Sequence, residues 1–297
     1  MSGSKKKPWL FIAVCVAPAF LLVVFAIVWP AIQVFYQSLT NSTVLALKEP
    51  EFVGFGNFKA MFGDRHFWAA FWNTAKLVAI APIFTIAGAL VLAFAVTQSK
   101  LRERSLYRTV FFFPSIISIT IIGIAWSFIF HPTRGALNKL LAIAGYASFE
   151  AEGFAWLADP NTAIWAIAVA FIWQSAGYFM VMHIAAIDSI PTETFEAATV
   201  DGAGAARKLF SIALPLIKNI VGITFIFALS GILDSSFALS RIMTPRGQAE
   251  VLLSYSYTQG FVNAQYGYAM AITAFTLVIA IALAGLSRLA TSRGGQT

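Results

Sequence analysis

Two short polar patches interrupt an otherwise apolar sequence of 297 residues. The first is Trp173-Gln174-Ser175, followed by Gly177 and Tyr178; Gln174 and Tyr178 are four apart and would share one helix face. The second is Ser230, Gly231, Asp234 and Ser235, in which Ser230 and Asp234 share a face and Gly231 thins the helix. Aromatic rings beside an amide, hydroxyls and a carboxylate suit a ligand with apolar C–H faces and many hydroxyls, which describes a sugar. Asp234 disfavours an anionic ligand unless it is paired or protonated. Each patch also has a plainer reading: a helix–helix hydrogen bond at Asp234, and packing at Trp173 and Tyr178. His183 reads as a packed neutral histidine, while His66 and His131 fall near loops.

Catalytic chemistry is not written into the chain. There is no G-x-x-x-x-G-K-[ST] phosphate loop, no H-E-x-x-H pair and no nucleophile elbow. Cys15 is the single cysteine, so neither a disulfide framework nor a cysteine metal cluster is available. These absences favour a transport subunit over an enzyme, with no cofactor in this chain.

The elements that must position the two patches follow from composition. Hydrophobic residues make up 59% and charged residues 11%, against about 25% charged in an ordinary soluble domain. A net charge of +7 could suggest nucleic acid, but in so apolar a chain it reads as asymmetry between membrane faces. Six apolar runs reach the ~20 residues that a bilayer-spanning helix needs: 9–35, 69–96, 107–130, 163–187, 216–239 and 268–289. The first follows Lys5, Lys6 and Lys7 but is too long for a signal peptide's apolar core, so it reads as an uncleaved span. Pro18, Pro30, Pro82 and Pro114 lie in or beside these runs, where membrane helices tolerate them. The expected fold is an all-α membrane protein. It has a tail over 1–8, a six-helix domain over 9–290 and a tail over 291–297.

Orientation follows from the basic residues. With the N-terminus inside, Lys5, Lys6, Lys7, Lys100, Arg102, Arg104, Arg108, Arg207, Lys208, Lys218, Arg288 and Arg293 are cytoplasmic. Lys48, Lys59, Arg65, Arg134, Lys139, Arg241 and Arg246 are outside, and Lys76 snorkels near the outer end of the second span. The bias toward the first set places both termini in the cytoplasm.

That topology leaves a long cytoplasmic segment over 188–214, between the fourth and fifth spans. Pro191 and Thr192 can start a helix with Glu193 and Glu196 near its positive end. Asp201-Gly202 breaks it, and a second helix runs from Ala203 toward Leu214, with Pro215 in the first turn of span five. Ala197, Ala198, Ala203, Ala205 and Ala206 keep its surface thin, and Phe195, Leu209, Phe210 and Ile212 offer apolar anchors. The alternative is an amphipathic hairpin lying on the membrane surface.

EAATVDGAG at 196–204, followed by IALP at 212–215, resembles the EAA loop of importer-type ATP-binding cassette permeases. The resemblance runs in order along the chain: FVGFGNFKAMF, FWNTAKL, YRTVFFFPSIIS, IAWSFIF, GALNKLL, WLADPNTA, IWQSAGYFM, IPTETFEAATVDGA and YGYAMAITA. It is similar to the first-permease branch of carbohydrate-uptake systems related to the maltose and glycerol-phosphate permeases. One departure is Met243-Thr244-Pro245-Arg246-Gly247, where that family usually carries Gly-Gly-Pro.

The resemblance implies a permease in the bacterial inner membrane, paired with a second homologous permease. It implies two ATPase subunits that carry ATP and Mg, an extracytoplasmic substrate-binding protein and a sugar substrate, with no nucleic acid. It makes 188–214 a coupling loop in which Glu196, Ala197, Ala198, Asp201, Gly202 and Ala203 meet the ATPase. It puts substrate contacts around 173–178 and 230–235. The alternatives are a gradient-driven secondary transporter, which would carry paired midplane charges and an internal repeat, and a membrane-embedded enzyme, which would need a catalytic constellation.

Overall fold

A computed structural model describes residues 9–43, 49–98, 103–146 and 153–293. The tail 1–8, the end of the tail 291–297, and Lys48, Lys100, Arg102, Glu150 and Glu152 lie outside the described residues. The chain divides into two compact units: one joins the residues up to Asp64 with Ser256–Leu277, the other joins Arg65–Tyr255 with those from Val278 onward.

In the first unit, α1 (Trp9–Val23) continues through a π-helical turn at Val24–Val28 into α2 (Trp29–Ser38). The π turn has a local cause. Pro30 lacks an N–H, and its ring would strike the carbonyl four residues back, which lies inside that turn. The end of α2 is closed by Asn57, whose Nδ2 donates to the Ser38 and Thr40 carbonyls at 2.8 Å each. Asn57 sits in α3 (Gly56–Gly63), and the one isolated β-bridge among the described residues joins Thr40 to Phe52. Gly267 donates its N–H to Ser42 O, and a Cβ there would overlap the Thr40 carbonyl. Thus the sequence stretches FVGFGNF and YGY, more than 200 residues apart, meet at the end of α2. Tyr268 Oη donates to Asp64 Oδ2 at 2.7 Å.

The second unit is built around long apolar helices, because only a helix satisfies its own backbone within lipid. They are α4 (Arg65–Gln98), α5 (Arg104–Ile116), α6 (Ile119–Ile129), α7 (Ala136–Ile143) and α8 (Pro160–Asp188). The fourth-to-fifth-span segment gives α9 (Thr192–Val200), α10 (Ala205–Lys208), a π turn at Leu209–Ala213 and α11 (Leu214–Leu216). α12 (Lys218–Met243) and α13 (Leu252–Tyr257) follow; the chain then enters the first unit through another π turn at Thr258–Val262, and α14 (Tyr266–Arg293) runs from that unit into the second.

Among the described residues five helices are long and apolar enough to cross a membrane, and α5 with α6 makes a sixth only as a bent pair, turned by 98°. The third apolar run, 107–130, is therefore two helices with a break at Ile117 and Ser118. Pro114 weakens the last turn of α5, Ile116 and Ile117 resist helix through β-branching, and Ile117 and Ser118 are both extended. The fifth span also shifts. Pro215 lies in α11 rather than in the first turn of the span, and Ile217 separates the two, so α12 begins at Lys218 and reaches Met243. A π turn again precedes the proline.

α8 is the central helix of this unit and packs against α4, α5 and α12. Its start is set by Asp159, whose side chain accepts from Asn161 N at 2.9 Å, with Pro160 at the first helical position. At that end, Asn138 is buried and binds the segments around it. Its Nδ2 donates to Pro132 O and Phe154 O, and its Oδ1 accepts from Trp156 Nε1 at 2.6 Å. GALNKLL and WLADPNTA are therefore fastened to each other. FWNTAKL does similar work, with Asn73 donating to Glu250 O and Thr74 Oγ1 accepting from Leu252 N. The MTPRG departure forms a turn with Gly247 at φ +81°. Two apolar cores lie along α8, one around Ile164, Ile167 and Phe171, the other around Met180, Ile184 and Ile187.

Candidate functional site

α8 and α12 bring parts of the two polar patches together. A cleft of about 250 Å³ is lined by Gln174, Ser175 and Tyr178 from α8 and by Gly231 and Ser235 from α12. Ser115, Phe171, Phe179 and Phe227 complete its wall. Trp173, Ser230 and Asp234 are not in this lining. Trp173 makes a T-shaped contact with Trp126 at 5.8 Å, and Ser230 and Asp234 occupy an exposed face of α12 beside Gly231 and Ser235. At Gly231 a Cβ would meet Phe171 Cζ at 3.6 Å, an ordinary contact distance, so the glycine adds room to the cleft rather than setting how closely the two helices approach.

Hydrogen bonds orient the polar groups of the cleft. Ser175 Oγ donates to Gln174 Oε1 at 2.9 Å, which leaves the amide Nε2 as the group turned to other partners. Ser115 Oγ donates to Phe112 O at 2.6 Å, so its oxygen lone pairs remain as acceptors. The lining thus combines aromatic faces with an amide, hydroxyls and no side chain of fixed charge, a surface suited to a polyhydroxylated ligand with apolar ring faces.

The phenylalanines and Ser115 escaped the sequence reading. Phe171 and Phe227 lie one turn before Gln174 and Gly231, so helical spacing could have found them. Ser115 could not be found that way, because it comes from α5, a different helix that packs against α8. His183 is buried, and its Nε2 lies 2.9 Å from Thr224 Oγ1 across α8 and α12, as a packed histidine should. Among the described residues no group of three His, Cys, Asp or Glu side chains could hold a metal.

The second candidate region is the α9–α10 segment. α9 ends in a Schellman arrangement: Gly202 N donates to Thr199 O and Ala203 N to Ala198 O, with Gly202 at φ +75°. Asp201-Gly202 is therefore the bend between two short helices, as its sequence suggests. The helical faces differ from expectation. Phe195 and Leu209 are buried in this chain's own core, Phe195 edge-on to Phe94 at 6.5 Å, so they are not anchors for another protein. Ile212 packs against the same core. Phe210 does point outward, and Val200, which the sequence reading missed, is 88% exposed. Glu196, Ala197 and Asp201 are exposed beside it, Ala203 is partly covered, and Ala198 is turned inward.

The root of this segment is tied down. Asp188 ends α8 and faces Arg104 at 3.4 Å and Arg108 at 3.6 Å, both near the start of α5. Arg104 Nε also donates to Val96 O in the last turn of α4 at 2.8 Å. These cations do more than set orientation, since they join three helix ends.

A bundle of apolar helices, a small polar cleft between two of them and an exposed helical hairpin define a polytopic transport subunit. The chain belongs to the family of binding-protein-dependent transport system inner membrane components, whose sequence pattern matches residues 82–293. It is 32% identical to a probable ABC transporter permease, YurN, of Bacillus subtilis, over 95% of each chain. It is 33% identical to the diacetylchitobiose uptake system permease NgcF of Streptomyces coelicolor, over 97% of this chain and 84% of that one. The fold is shared with a chain of a bacterial alginate ABC transporter crystallised with an alginate pentasaccharide-bound periplasmic protein: TM-score 0.81, 23% identity, covering 98% and 97% of the two chains. Family membership sets aside both the secondary transporter and the embedded enzyme: the chain is an inner-membrane permease component of an ABC importer.

Proposed function

We propose that this chain is one of two homologous permease subunits of an ATP-driven importer for a sugar or oligosaccharide, with both termini in the cytoplasm. The segment 188–214 is its coupling loop. α9 docks on a separate ATPase subunit through Glu196, Ala197, Val200 and Asp201, with Gly202 as the bend and Ala198 and Ala203 holding the hairpin's shape. Two ATPase subunits carry the ATP and Mg, and an extracytoplasmic binding protein delivers the ligand. The translocation pathway runs past Gln174, Ser175, Tyr178, Gly231 and Ser235, with Trp173, Ser230 and Asp234 flanking it. ATP binding draws the coupling loops together and opens the cavity outward; hydrolysis resets it.

The observation that carries this reading is the outward face of α9, where an apolar Val200 stands among Glu196, Ala197 and Asp201, left uncovered by the described residues of this chain. The sugar is supported by similarity to NgcF and by the aromatic and hydroxyl lining of the cleft. The test is a mild-detergent pull-down from native membranes, with partners identified and counted by mass spectrometry. Recovery of a second permease and two copies of an ATPase is expected, with the ATPase lost from Glu196→Ala while the second permease remains. Recovery of the chain alone, or with itself only, would overturn the assignment.

A further inference from the structure

The importer's substrate chemistry is narrowed by what the cleft lacks. Of its lining side chains none carries a charge at neutral pH: Gln174, Ser115, Ser235 and Tyr178 are neutral, and the remainder is aromatic or small. An ionised phosphate, carboxylate or sulfonate would find no countercharge among these side chains, and a buried charge without one is far costlier than a hydroxyl that finds a partner. The ionisable group next to the cleft on α12 is Asp234, adjacent to Ser235, and a carboxylate repels an anion. Aromatic faces do the opposite for a neutral ring. Phe171, Phe227 and Tyr178 offer apolar surface to C–H faces, while the Gln174 amide donates and the serine oxygens accept. Pockets for drug-sized ligands measure roughly 300–1,000 Å³. At about 250 Å³ the cleft accommodates a unit the size of a single ring, the rest of an oligosaccharide lying outside it.

We infer that the cleft between α8 and α12 seats one uncharged sugar ring of the transported ligand and disfavours phosphorylated, uronic or sulfonated rings. This rests on the pathway reading above and sharpens it. Relatives of similar sequence include permeases named for diacetylchitobiose, which is neutral, and for sn-glycerol-3-phosphate, which is anionic, so family membership leaves the choice open.

The test uses the assembled importer in lipid nanodiscs, without binding protein, so that the cleft rather than the binding protein selects. Saturation-transfer NMR is recorded with four probes: maltose, diacetylchitobiose, glycerol 3-phosphate and trigalacturonate. Signal is expected from the C–H protons of a neutral probe. It falls about tenfold in Tyr178→Ala, as loss of a central aromatic contact does. Tyr178→Ala could act by disturbing the helix packing, so Gly231→Ala is the second variant. Its methyl meets Phe171 at ordinary contact distance but occupies the cleft, so signal should fall while the complex elutes as before. A stronger variant-sensitive signal from glycerol 3-phosphate or trigalacturonate than from either neutral probe overturns the charge assignment and leaves the importer standing. Signal from none of the four, or signal that neither variant alters, removes the ring from this cleft; the pull-down then still decides the importer reading by itself.

Discussion

At residue 177 the packing admits only a hydrogen atom. A Cβ on Gly177 would overlap the carbonyl of Phe111, so α5 and α8 touch there through backbone. Gly177→Ala must push α5 off α8, a small-to-large change that costs about 1–3 kcal/mol. It should lower the thermal unfolding midpoint of the detergent-solubilised chain and displace Ser115, which α5 delivers to the cleft. Gly231→Ala should leave that midpoint near the original, because its nearest neighbour lies at ordinary contact distance. Equal midpoints for Gly177→Ala and the unaltered chain would mean that the two helices do not meet as described. The sequence places Gly177 inside a polar patch, but nothing in it says that a carbonyl from 66 residues earlier abuts it. The residues beside it were more legible, because Gln174 and Tyr178 announce a shared face by their spacing alone.

Among the elements, α9 hangs from a clamp. Arg104 and Arg108 stand in the first turns of α5 and Asp188 ends α8, so each charge sits where its own helix dipole disfavours it. Facing each other offsets this, and the Arg104 bond to Val96 O adds the end of α4. The side chains are nearly half exposed, at 44% to 48%, so solvent screens each pair to about 0–1 kcal/mol, and their value is geometric rather than energetic. α9 begins four residues after Asp188, so on the proposed coupling role the clamp gives movement of α9 a route to α5, which carries Ser115. Asp188→Asn should therefore lower sugar uptake per ATP hydrolysed by about 2- to 30-fold, the range of ordinary coupling energies, while the chain still assembles. An unchanged ratio in the reconstituted importer would exclude the clamp from coupling. Element existence was legible here because lipid demands long unbroken apolar runs, and Asp201-Gly202 announced its own turn. The bend after α5 was not, since the run 107–130 is apolar throughout and only Pro114 hints at a weak point. The facing of α9 was not legible either: Phe195 and Val200 are both apolar, and only the core beside Phe94 decides which one turns inward.

For the whole molecule, the decisive property is which end of the helices meets the cytoplasm. The ends of the second unit differ in charge. One holds Arg104, Arg108, Arg207, Lys208 and Lys218 around α9; the other holds Arg134, Lys139 and Asp159 around the Asn138–Trp156 fastening. On the proposed topology the first, more basic end is the cytoplasmic one, as basic residues retained on that side would make it. If that is reversed, α9 would face away from a cytoplasmic ATPase and the proposed coupling role would fail, so the proposed topology and mechanism stand together. The check replaces Cys15 with Ser and introduces single cysteines at Val200 and Thr133, both exposed. In membranes stripped of ATPase, an impermeant maleimide should label the Val200→Cys chain only in inside-out vesicles and the Thr133→Cys chain only in right-side-out ones. The converse pattern would invert the chain. Labelling of both from one side would mean that α8, which begins at Pro160 and ends at Asp188, does not cross the membrane at all, and the cleft it builds with α12 could not lie on a path between the two aqueous phases.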